Sequence, residues 1–229
     1  MATTTVGSTG FSEKISLKKI LLTCGILSSL YYIAINVWVA MQYEGYNAGS
    51  QTVSELSAID TPTRSLWVSL VTVYSVLVLA FGWGVLKAAG QNRKLRLAGS
   101  LLIVYIAVGI FWPPMHQREV LAAGAGSLTD TLHIVWTLIT VPLMLLIMIL
   151  SAAAFGKRFR MYTIITIVVQ IGFGVLTGLD SPKMEANLPT PWMGVWERIS
   201  MAAFMIWLIV FATILLRIEK LQQEKSVSG

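Results

Sequence analysis

The chain has 229 residues, enough for one ordinary domain, but 55% of them are hydrophobic and only 12% charged, with a mean hydropathy of +0.72. That balance lies outside the usual soluble range and points to the membrane class. The formal charge of +6 arrives as short basic clusters between long apolar runs, which is a topology signal and not a nucleic-acid footprint, so nucleic acid is excluded as a partner.

A hydrocarbon core of about 30 Å requires about 20 helical residues, because backbone polar groups in lipid must be satisfied within the segment. Six runs qualify, giving an all-α, polytopic helical bundle with a cytoplasmic tail over 1–19, a six-helix transmembrane domain over 20–216 and a second tail over 217–229. The first run, Ile20 to Ala40, is preceded by Lys14, Lys18 and Lys19 and reads as a retained signal anchor. It holds the one cysteine, Cys24, which rules out an intramolecular disulfide and reads as a small buried side chain. A polar loop from Met41 to Arg64 follows, in which Ser54-Glu55-Leu56-Ser57 has the serine-then-acid pattern of a short interfacial or re-entrant helix.

The second run, Leu66 to Leu86, turns through a short basic link at Gly90 to Lys94 into the third, Leu95 to Trp112. A loop from Pro113 to Ser127 carries His116, Arg118 and Glu119. The fourth run, Thr131 to Ala153, is preceded by Ser127-Leu128-Thr129-Asp130, which resembles a helix-capping box. After a second basic link at Gly156 to Arg160, the fifth run, Met161 to Leu179, contains Gln170, expected to bond between helices, and Gly172, Gly174 and Gly178, expected to allow close helix packing. The sixth, Trp192 to Leu216, follows Thr190 as a candidate cap and Pro191 as a candidate first helical residue.

With the N-terminus in the cytoplasm, 13 of the 17 basic residues fall inside and 8 of the 11 acids outside. Every connection agrees with the positive-inside rule, and an even number of spans returns the C-terminus to the cytoplasmic side of the cell membrane. Only Arg64, Arg118, Lys183 and Arg198 are basic on the outer side.

The polar residues of that outer side are the candidates for chemistry. His116 and His133 are the only two histidines, and Asp130 precedes His133 by three residues, which on a helix puts both on one face. Two imidazoles and a carboxylate suit zinc with one position left for water, although the spacing is not an established zinc motif. The same residues suit helix capping and packing, or a metal-free ligand site. Glu197 and Arg198 lie about 9 to 10 Å along the last span from its start, where charges face protein or a water-filled cavity and need partners. A structural ion pair beside an aromatic belt of Trp192 and Trp196 reads equally well.

Gln51-Thr52-Val53-Ser54-Glu55-Leu56-Ser57-Ala58, then Pro62-Thr63-Arg64, together with Thr129-Asp130-Thr131-Leu132-His133 and Gly194-Val195-Trp196-Glu197-Arg198, resemble the bacterial multi-span membrane family called domain of unknown function 998. The resemblance runs from the first span to the last and implies a compact helical membrane domain whose outer-face segments are its hallmark; it brings no reaction, substrate or cofactor. Two functions follow from the residues. One is a metal-assisted hydrolase acting on a lipid or other amphiphile, with His116, Asp130 and His133 holding zinc, Glu55 or Glu197 as general base, and Arg118 or Arg198 stabilising negative charge. The other is a metal-free protein that binds, senses or transports an amphiphilic or anionic small molecule. Membrane lipids are partners in both.

Overall fold

The computed structural model describes residues 16–227, so Lys14 and Gly229 lie outside the described residues. It contains seven α-helices and, among those residues, no strand. Six are long: α1 (Leu17–Met41), α2 (Arg64–Ala88), α3 (Arg93–Ile110), α5 (Leu128–Ala152), α6 (Lys157–Glu185) and α7 (Met193–Val227), while α4 (Arg118–Ala122) is a short piece in the connection between α3 and α5.

Polar residues mark where several of these helices begin. The Ser16 side chain accepts the Lys19 N–H at 3.3 Å at the start of α1, and Asn92 accepts from Lys94 and Leu95 at the start of α3. At α5, Ser127 and Asp130 form the expected capping box. These side chains take up N–H groups that have no partner within the helix.

The long helices alternate in direction, and neighbours pack in the order α5, α3, α2, α1, α7, α6. The core is centred on α7, whose Phe204, Leu208, Phe211 and Leu215 recur at helical spacing and are buried with Phe81, Val78 and Val85 of α2 and Leu22 of α1. Outward-facing positions are equally apolar: Leu138 is 68% exposed and Val168 64%. A helical bundle apolar on its outside as well as its inside is built for a lipid solvent.

Five helices, α1, α2, α5, α6 and α7, are long and apolar enough to cross a membrane. The third expected span is the exception. Its helix, α3, has 18 residues, and Arg93, Lys94 and Arg96 occupy the first turn, leaving the 14 residues 97–110, about 21 Å of helix, against a core of about 30 Å. Two other expectations change. Gly172 and Gly178 have no neighbour near enough to reward the lack of a side chain, and only Gly174 lies against another helix, at Ser200; this face of α6 points outward. Helix α7 continues well beyond Leu216, because its charged end packs back on the bundle through a 2.8 Å ion pair between Glu219 and Lys18 of α1.

The two ends of the bundle differ. One carries the short links at 89–92 and 153–156, joined where Lys94 Nζ donates to the Ala153 carbonyl at 3.3 Å. At the other, the segments 42–63, 111–127 and 186–192 fold together into a cap, bonded by Ile59 N–H to the Met115 carbonyl at 2.8 Å and packed through Ala58, Met115, Met184 and Met193.

Candidate functional site

The cap is built around two arginines that hold the first loop from opposite sides. Thr52-Val53-Ser54-Glu55 makes a reciprocal box: Thr52 N–H donates to Glu55 Oε2 at 2.7 Å and Glu55 N–H donates to Thr52 Oγ1 at 3.3 Å. This box leads into a short 3-10 turn at Ser54–Ser57 and fixes the Glu55 carboxylate. Arg118, on the first residue of α4, meets it side-on, with Nε 2.7 Å from Oε1 and Nη2 3.0 Å from Oε2. A paired fork of this kind has both direction and strength. Arg118 also donates from Nη1 to Thr190 Oγ1 at 3.3 Å, while the Thr190 hydroxyl donates to the Ser50 carbonyl at 2.8 Å. Burial acts to lower the guanidinium pKa, but the bonds to Glu55 and the charges of Glu55 and Glu119 outweigh it and push it up. The guanidinium is therefore charged at any ordinary pH.

Arg198 approaches from α7. Its Nε donates to Asn36 Oδ1 at 3.0 Å, Nη1 lies 2.7 and 2.9 Å from the Ala48 and Gln51 carbonyls, and Nη2 lies 2.5 Å from the Tyr46 hydroxyl. The guanidinium also sits over the Tyr46 ring, 5.7 Å from its centroid. Burial, partly opposed by Arg198, raises the Tyr46 phenol pKa, so its hydroxyl stays protonated and donates to the Thr52 carbonyl at 2.7 Å. Beside it the Glu197 carboxylate accepts the Val53 N–H. This close seating depends on Gly194: a Cβ there would run into the Gln51 and Ala48 carbonyl oxygens.

The histidines have separate surroundings. His116 and Asp130 come together, with Nδ1 2.8 Å from Oδ2 and the His116 N–H donating to Oδ1 at 2.7 Å. Asp130 Oδ2 also accepts the Ser127 N–H at 2.8 Å, so one carboxylate caps α5 and pins the preceding loop. His133 instead points Nδ1 at the Pro113 carbonyl, 2.8 Å away, and packs between Trp112 and Trp136. Among the described residues no three His, Cys, Asp or Glu side chains are grouped to hold a metal ion. One imidazole is thus turned to a carbonyl, and the carboxylate is engaged by the other histidine and by Ser127.

The candidate catalytic groups are also engaged within the cap, Glu197 by the Val53 N–H. Both Glu55 oxygens are taken by Arg118 and Thr52, and Arg198 is spent on carbonyls and Asn36. What is open is a cavity of about 200 Å³ between the first and second loops, lined by Tyr43, Glu44, Gly45, Gln51, Glu55, Gln117, Arg118 and Glu119. Burial, then the negative charges of Glu119 and Glu55, push the Tyr43 phenol above its ordinary range. Thr190, expected as a cap for the last helix, belongs to this network instead, and α7 starts at Met193. The pattern Thr52-x-x-Glu55 was a sequence signal for the buried box; the roles of Thr190 and Gly194 had no such signal, because their partners lie in a distant loop.

An apolar-surfaced helical bundle capped at one end by a buried ionic network is an integral, multi-pass membrane protein. The chain belongs to the family described as protein of unknown function (DUF998), whose model matches residues 26–214. Neither a search of curated proteins nor one of solved structures returns a match.

Proposed function

We propose that this protein spans the bacterial plasma membrane six times with both termini in the cytoplasm, and that its cap is a metal-free binding site for a small, polar, positively charged molecule arriving from outside. The topology is supported by the basic residues at the linked end, and by α3 lying between α2 and α5 as a full member of the alternating bundle. A short span is accommodated by local bilayer thinning and by Arg93, Lys94 and Arg96 reaching to the interface.

The observation that carries the binding reading is the cavity's charge. Glu44, Glu55 and Glu119 line it against Arg118 alone, and Arg118 is already neutralised by Glu55. The remaining field is negative, which favours an amine over the anion that the outer arginines suggested. The metal-assisted hydrolase has less support, since among the described residues no three-ligand group is formed and Glu55 is paired with Arg118.

Thermal unfolding in detergent tests this reading. Small organic amines should raise the Tm, by the equivalent of about 2.7 kcal/mol at a hundredfold excess over Kd, and carboxylates of similar size should not. Glu44→Gln and Glu119→Gln should abolish the rise while leaving the Tm of free protein nearly unchanged. No response to any amine, or a response indifferent to both substitutions, would sink the idea.

A further inference from the structure

A second feature lies on the lipid-facing side, towards the linked end. An open groove of about 470 Å³ runs between α1, α2 and α3, lined only by Leu21, Val76, Leu79, Ala80, Trp83 and Ile103. Its floor is closed by the tight approach of α1 to α2, where a Cβ on Gly84 would lie 2.9 Å from Leu21 Cβ. From Val76 to Trp83 the groove follows α2 for about 10 Å, most of the roughly 15 Å that one leaflet of a 30 Å core supplies.

The linked end of this groove is basic. Lys87 stands one turn beyond Trp83, its ammonium 6.0 Å from the indole centroid, and Arg96 stands two turns from Ile103 on the same face of α3. Both are exposed, and neither forms an ion pair with another described residue. Trp83, 54% exposed, sits between the apolar and charged parts, where an indole belongs at a membrane interface.

We propose that this groove is a binding site for one anionic phospholipid, with an acyl chain along α2 and the phosphate between Lys87 and Arg96. Charge complementarity selects the occupant: a zwitterionic lipid fills the groove equally well but leaves the two cations less compensated. The site is independent of the cap, and only its assignment to the inner leaflet rests on the six-span topology.

The test is native mass spectrometry of full-length protein extracted from nanodiscs made of equal parts phosphatidylglycerol and phosphatidylcholine. Wild type should retain one phosphatidylglycerol in preference. Lys87→Gln with Arg96→Gln should cut that retention by about fivefold for each basic residue removed, and Ala80→Phe, which fills the groove and leaves the charges, should also displace it. Equal retention of the two lipids by wild type would overturn the proposal. So would retention lost in the charge variant but unchanged in Ala80→Phe, which would mean surface attraction without the groove. Because both leaflets of such nanodiscs are alike, an inverted topology leaves this result unchanged; labelling of a cysteine at Gln91 reports orientation separately.

Discussion

Glu55 and Arg118 are 63 residues apart in the chain and meet with side-chain exposures of 4% and 11%. A pair so enclosed stabilises only while both members are present, since removing one leaves the other charged and unsatisfied. Arg118→Gln is expected to cost about 3 to 5 kcal/mol, measured by denaturation in detergent. Arg118→Lys should recover only part of this, because an ammonium cannot reproduce the two-point contact with both carboxylate oxygens. If Arg118→Gln unfolds like wild type, the pair is not a support of the cap. Sequence alone marked both residues as members of an outer polar set, through their type and their place beside the spans. It did not pair them, because partner choice depends on how two loops fold over one another, and nothing in local spacing encodes that.

Helix α5 shows how one element depends on its first turn. Asp130 accepts from Ser127 within the capping box and from His116 in the loop before it, so Asp130→Ala removes a cap and a loop anchor together. The expected loss is about 1 to 2 kcal/mol from the cap, with faster hydrogen exchange at 115–117 than in wild type; unchanged exchange there would show that His133, on the Pro113 carbonyl, and Thr129, whose hydroxyl donates to the Pro114 carbonyl, hold the loop unaided. The capping half of this role was legible from Ser127-Leu128-Thr129-Asp130, and the loop-anchoring half was not. Spans were legible wherever hydropathy was unbroken. They were less so at α3, whose basic start shortens the apolar run, and at the end of α7, where helix continues through charged residues because Lys18 and Glu219 meet. The glycines of α6 misled because spacing identifies a face but not what lies opposite it.

For the molecule as a whole, the decisive measurement is which end faces out. In a Cys24→Ser background, a cysteine at Ala125 should react with a membrane-impermeant maleimide on intact cells, and one at Gln91 only after permeabilisation. The reverse pattern would turn the bundle over and place the acidic cavity in the cytoplasm.

The cap also imposes an order on biogenesis. Its first two loops are synthesised well before α7, and the Glu55–Arg118 pair needs nothing from that last helix. Glu197 and Arg198, however, supply partners for the Ala48, Gln51 and Val53 backbone, and Gly194 leaves room for that approach. Until the final span is in place those backbone groups lack these partners, so the nascent protein has its other helices in place before the cap can close. A chain truncated ahead of Met193 would insert most of its spans and still present an unfinished cap.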